Sequence, residues 1–285
     1  MVHIYFETKE QAERIMHIFS QQFKNNDLLS YINYYQNDSI SLVVEEDNYV
    51  KLLEITREAI LSFIRDDLFL QWLLKIVREK FYFSDKEECD QIVEMAVSVM
   101  QEDKRKNEAF WNELRQKIDH SLAVIFERKV SLSFPSFLKF RMKGVMNYLL
   151  DYVEIAIDEY KMEQEFQHFL HKLRAFMLSK SPSMEELHLV HQKDFKFYNE
   201  FFSELEKEEV KQFIDRKLFY DYPMYIDSHV LAPLISIAPR NLYIYCDQDD
   251  YPLIITIQRI FEERVQILPI ARFESNKIDA QMKST

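Results

Sequence analysis

Residues 136–178 read SFLKFRMKGV MNYLLDYVEI AIDEYKMEQE FQHFLHKLRA FML, a run with no proline and one glycine, Gly144. Val145, Leu149, Tyr152 and Ala156 recur at spacings of 4, 3 and 4, and Phe166, Phe169, Leu173 and Phe176 at 3, 4 and 3. That alternation puts one apolar stripe along an α-helix. At 1.5 Å per residue the helix would be roughly 60 Å long, so it either bends near Gly144 or spans between modules. Ser179-Lys-Ser-Pro-Ser183 ends it. A helix of this length makes the chain predominantly helical and separates its N-terminal portion from its C-terminal one.

Upstream, Ser133-Phe-Pro-Ser136 reads as a helix start, because proline is tolerated in a first turn. Phe110, Leu114, Ile118, Leu122 and Ile125 mark the preceding helix, and Asp103-Lys-Arg-Lys-Asn107 a polar break before it. Ile92, Met95, Ala96 and Val99 form another stripe, opened by a capping box, Ser84-Asp-Lys-Glu87. Nearer the start, strands are expected at 2–6, 31–35 and 40–44. A helix is expected over 9–23, and a long amphipathic pattern over 48–81.

Downstream the chain alternates. Residues 187–190 and 195–198 look like a strand pair, and 242–245 and 265–270 are further strands. Helices cover 201–218 and 253–263, and the polar tail 274–285 is expected to fray. The fold class is thus α+β, predominantly helical. A small N-terminal α/β module (1–82) and a central helical module with one very long helix (83–180) precede a C-terminal α/β module (181–285).

Composition excludes whole classes of chemistry. At average usage of about 7% a chain of 285 residues would hold roughly 20 glycines; this one holds one. Phosphate-binding loops, dinucleotide-binding turns and nucleophile elbows need glycine for close backbone approach or positive φ. They are excluded, no cofactor is assigned, and the chain is expected to work through its outer faces. Two cysteines, Cys89 and Cys246, are too few for a disulfide framework and read as reduced, buried thiols. The start lacks the basic and apolar regions of a signal peptide. The longest apolar stretch, 229–246, is interrupted by Pro233, Pro239 and Arg240, which points to a cytoplasmic address without a membrane span.

Several stretches together resemble the YtxC-like family, associated with sporulation in endospore-forming bacteria. They are Phe137-Leu-Lys-Phe-Arg-Met-Lys143, Val153-Glu-Ile-Ala-Ile-Asp-Glu-Tyr160, Glu163-Gln-Glu-Phe-Gln-His-Phe169, Pro233-Leu-Ile-Ser-Ile-Ala-Pro239 and Thr256-Ile-Gln-Arg-Ile-Phe-Glu-Glu-Arg-Val265. The resemblance is specific over 136–268. It implies an intracellular sporulation protein and supplies motif residues without assigned chemistry: Phe140, Arg141, Glu163, Glu165, Pro233, Pro239 and Arg264. Gly144 stands where the family pattern leads one to expect a larger polar or acidic residue.

Within the motifs, Phe140 and Arg141 are expected to anchor the helical module, with Arg141 paired to a carboxylate. Pro233 and Pro239 are expected to frame a turn or short helix before the strand at 242. The first functional expectation is therefore a non-catalytic interaction or structural protein, its partner another protein or a second copy of the chain.

Two alternatives stand beside it. Residues 104–143 hold 10 basic against 4 acidic groups, interleaved with Trp111, Phe137 and Phe140, a composition that can track phosphates and stack bases. The net charge of −12 opposes nucleic acid and favours this surface meeting acidic parts of the chain or a protein partner. Glu165/His168 and Glu185/His188 have the Glu-x-x-His spacing of bundle metal sites, the basis of a metal-dependent enzyme. The second pair, however, runs into a strand, where that spacing separates the side chains. Asp151, Glu154 and Asp158 read as a solvated stripe.

Overall fold

In the computed structural model, which describes residues 1–22, 30–35, 38–221, 226–247 and 251–283, β1 (Val2–Tyr5) pairs antiparallel with β3 (Ser39–Leu42), and β3 antiparallel with β2 (Ile32–Tyr35). Phe23, Asn37 and residues 284–285, which bound expected elements, lie outside the described residues. Val2 faces Leu42 and Ile4 faces Ile40 across the ladder, so one sheet face is apolar, and α1 (Lys9–Gln22) packs its Ala12, Ile15 and Phe19 into the same core.

The 48–81 pattern becomes α2 (Tyr49–Phe63), one π-helical turn at Ile64–Leu68 and α3 (Phe69–Lys80). On the π turn, Arg65 lies over the Trp111 ring and Asp67 pairs with Arg14. Helices α4 (Lys86–Glu102) and α5 (Lys104–Arg128) come next. The cap of α4 is Asp85, whose side chain accepts from the Glu88 amide, one residue later than the Ser84 expected to open it. The expected polar break shrinks to Asp103, which caps α5 by accepting from the Lys106 amide; Lys104–Asn107 are helical.

The chain forms two compact units, Met1–Met162 and Glu163–Thr285, where the pattern of elements suggested three modules. The reason is local. A two-residue strand, β4 (Leu132–Ser133), adds parallel to β1 at the end of α5. The next residue, Phe134, sets its ring against Phe6 and Phe63 at 5.2 and 5.9 Å. The N-terminal sheet and the helices up to Tyr160 thus share one hydrophobic core. Arg57–Asp119 (3.2 Å) and Arg115–Glu58 (2.7 Å) add ion pairs between α2 and α5.

The long helix is α6 (Phe134–Arg141) and α7 (Lys143–Leu178), interrupted at Met142, where φ/ψ of −96°/8° leaves the helical range. Inside α7 the buried stripe Val145–Leu149–Tyr152–Ala156–Tyr160 serves the first unit and Leu170–Leu173–Met177 the second.

The second unit is built on β5 (Glu186–His191), β6 (Phe195–Asn199), β7 (Glu204–Leu205), β8 (Asn241–Tyr245) and β9 (Val265–Leu268), in the order β7-β6-β5-β8-β9. β5, β8 and β9 are parallel; the other pairings are antiparallel. Alternation sends Leu187, Leu189, Leu242 and Ile244 to a core with α7, α10 (Leu231–Ile237) and α11 (Pro252–Phe261). The opposite face carries Val190, Tyr198 and Tyr245 under Phe273.

Two expectations are corrected in this unit. Instead of one helix over 201–218 there are a hairpin into β7 and two short helices, α8 (Lys207–Gln212) and α9 (Arg216–Asp221), because Asn199 Oδ1 accepts from the Phe201 and Ser203 amides and folds the chain back. The tail is α12 (Ile270–Lys283) rather than frayed, held by buried Phe273. The protein is a predominantly helical α+β fold. No helix among the described residues is long and apolar enough to cross a membrane.

Candidate functional site

Ser133 caps α6 by accepting from the Ser136 amide, with Pro135 in the first turn. Phe137 and Met142 then turn into the core, which leaves Phe140 74% exposed and Arg141 at the surface. The expected anchoring role is overturned. The Phe140 ring meets the ammonium of its neighbour, Lys139 Nζ, at 5.8 Å from the ring centre, and Arg141 forms no ion pair among the described residues.

Arg141 instead borders a cleft of about 340 Å³, whose other wall is one face of α5: Glu113, Gln116, Lys117, His120 and Ser121. Lys117 Nζ is 3.3 Å from Glu113 Oε1. The Ser121 hydroxyl donates to the Lys117 carbonyl at 2.8 Å. Gly144 lies beside this wall: a Cβ there would sit 3.6 Å from Glu113 Oε1 and 3.9 Å from Lys117 Nζ. Its φ is not positive and a Cβ at those distances would make ordinary contacts, so neither conformation nor close approach requires glycine here. The helical spacing 113–117–120 carried the signal for this face in the sequence, but nothing there placed Arg141 opposite it.

The other motif residues belong to the second unit. Glu163 and Glu165 fall within 161–168, every residue of which is exposed, and Glu163 accepts from Gln167 at 2.6 Å. Pro233 lies within buried α10, and Pro239 comes after Ala238, whose left-handed backbone closes that helix. The Arg264 guanidinium has one buried nitrogen, Nη1, with no hydrogen-bond partner among the described residues. The Glu-x-x-His pairs do not converge. Glu165 and His168 are solvated, Glu185 pairs with Arg240 at 3.3 Å, and His188 is buried. The described residues contain no group of three or more His, Cys, Asp or Glu placed to hold a metal ion.

The basic stretch is also reshaped. Lys106, Arg115 and Lys117 are paired with Asp103, Glu58 and Glu113. Phe137 is buried and the half-buried Trp111 packs against Phe69 and Phe110, so of the three aromatics Phe140 is the exposed one.

Two features of the second unit escaped the sequence. His188, 3% exposed, stacks on Phe202 and Tyr243 at 4.2 and 5.1 Å, with Nδ1 3.2 Å from the Tyr245 hydroxyl and Nε2 unpartnered among the described residues. Burial pushes its pKa down to about 4, so the ring is neutral near pH 7. The period-two alternation of His188 and Val190 with Tyr243 and Tyr245 was its available signal. Arg174 of α7 donates to the Ile260 carbonyl at 2.9 Å and pairs with Glu262 and Glu263 at 2.9 Å each, fastening α7 to the end of α11.

Fold and cleft together define a two-unit, mainly helical α+β protein with a polar, side-chain-lined surface site. The chain belongs to the YtxC-like family, whose model matches residues 54–266. It is 33% identical over 281 residues to the uncharacterized protein YtxC of Bacillus subtilis (strain 168), with 98% of each chain covered. No solved structure matches it. The family match includes every residue of the cleft and reaches back into α2, beyond the 136–268 segment that carried the resemblance.

Proposed function

We propose that this chain is an intracellular, sporulation-associated protein that acts by binding a protein partner rather than by catalysis, and that the partner docks on the Phe140–Arg141 face. One observation carries the reading: within the family-matched segment an aromatic ring is 74% exposed next to an arginine without an ion pair among the described residues. Aromatic and arginine side chains are the residue types that dominate interface energetics. Helix packing gives neither of them a structural task. The sporulation setting is what the resemblance to this family implies, and the heat-resistant-spore readout below tests it.

The nucleic-acid alternative is the weaker one, since two of its three aromatics pack inside the first unit and three of its cations are already paired. The test is a deletion strain complemented with the parent gene or with Phe140→Ser/Arg141→Glu, scored for heat-resistant spores. The purified variant should keep the parent's unfolding midpoint. Loss of a central anchor is expected to weaken partner binding by about 2 kcal/mol, roughly thirtyfold, and the variant strain should fail to sporulate normally. Full complementation would overturn the reading, as would duplex DNA binding by the parent that falls steeply with salt.

A further inference from the structure

We infer that the cleft between α5 and Arg141 is an oxyanion site, taking the phosphate or carboxylate head of a partner side chain. The inference rests on the docking reading and names the chemistry of its centre. The donors converge from two helices. Gln116, Lys117 and His120 stand on one face of α5, and Arg141 faces them from α6 across about 340 Å³. That space is several times the ~30 Å³ share of a water molecule, enough for a tetrahedral or planar oxyanion. Against these donors stands one carboxylate, Glu113, whose side chain is 58% exposed and free to swing outward when an anion takes Lys117. The guanidinium fork of Arg141 is unspent among the described residues, and it suits bidentate contact with either oxyanion.

Gly144 fits this reading. Glycine inside a helix costs roughly 1 kcal/mol relative to alanine, its φ is ordinary, and an alanine Cβ would make only van der Waals contacts. A longer side chain would instead occupy the space beside Lys117 Nζ. A small residue at 144 thus leaves that ammonium approachable. Without a glycine-rich loop to offer backbone amides, a side-chain clamp is an available route to anion recognition.

The test uses the full-length protein at low ionic strength, titrated separately with inorganic phosphate, phosphoserine and acetate, with chloride as the screening control. NMR follows the Arg141 Nε–H and the His120 ring, and His188 serves as a remote reference. Saturable shifts at Arg141 and His120, with His188 unmoved, are expected in at least one arm, and the tighter arm identifies phosphate or carboxylate as the head group. Arg141→Met and Gly144→Leu should each weaken that binding at least tenfold while the fold, read by the His188 signals, persists. Chloride-like linear shifts in all arms would overturn the inference, as would saturation undiminished in Arg141→Met. If the oxyanions fail but Phe140→Ser/Arg141→Glu still abolishes heat-resistant spores, docking stands and the oxyanion site falls. If they bind and that strain sporulates normally, the site stands and the docking reading falls.

Discussion

His188 gives the second unit a built-in sensitivity to acid whose size is set by its surroundings. The imidazole is 3% exposed on the sheet face beneath Phe202, with the Tyr245 hydroxyl at Nδ1 and nothing at Nε2 among the described residues. No carboxylate among the described residues pairs with it: Glu204 is held by Lys196 and Tyr198, and the Tyr245 hydroxyl is shared with Asn276. Burial therefore lowers the pKa from 6.5 to about 4, an interval equivalent to about 3 kcal/mol. Between those two pH values the unfolded chain binds a proton that the folded one refuses. The unit accordingly has its full stability above pH 6.5, loses it as pH falls through that interval, and reaches the full loss below about pH 4.

The perturbation is His188→Phe, which keeps the ring stacked and removes both nitrogens. Amide exchange in β5 and β8, converted to opening free energies over the range from neutral pH to about pH 4, reads the second unit by itself. The parent should lose about 3 kcal/mol more than the variant across that range, the remaining common slope belonging to carboxylates. Parallel slopes would refute the reasoning, and so would an imidazole titration midpoint near 6.5 in the folded protein.

Two further perturbations test the fold's fastenings. Arg174→Met removes one charge-assisted bond to the Ile260 carbonyl and two ion pairs. It should destabilise the second unit by about 2 kcal/mol, read as lost exchange protection in α11, with the first unit unaffected. Lys129 is exposed and ends α5 at φ 53°, ψ 39°, a left-handed position that disfavours any side chain. Lys129→Gly should raise the denaturation midpoint of the first unit by the equivalent of about 1 kcal/mol; a lowered midpoint would count against the argument.

The helices were legible because their apolar residues repeat at 3–4 positions over long stretches: Phe110, Leu114, Ile118, Leu122 and Ile125 line the buried side of α5 as their spacing required. Short elements set by distant partners were not. β4 is two residues whose strand character comes from lying beside Ile4 and Tyr5, and α12 is mostly polar, its Phe273 needing the sheet to bury it. The break at Met142 was partly legible, since the length of the run and Gly144 pointed to a bend close by, but nothing marked Met142 itself. The candidate site was half legible. Phe140 and Arg141 were singled out by resemblance, but their exposure depends on which way α6 turns after Phe137, and that is a property of the core.

The shortage of glycine has a narrower meaning than the sequence alone suggests. Six described residues with side chains take positive φ: Asp38, Tyr82, Lys129, Phe202, Ala238 and Glu262. The one glycine does not. Left-handed turns are therefore made here without glycine, at a cost of roughly 1–2 kcal/mol each, and in at least two places the side chain explains the choice. Phe202 turns between β6 and β7 and lays its ring on His188 at 4.2 Å, a contact glycine could not make. Glu262, at φ 44° and ψ −108°, puts its carboxylate on Arg174. What the composition does exclude is a glycine-rich phosphate-binding loop. At the described turns of Phe202 and Glu262 the chain tightens around a side chain. The proposed docking face would then recognise by fork, ring and ammonium, and the Arg141 cleft is where a partner is to be sought.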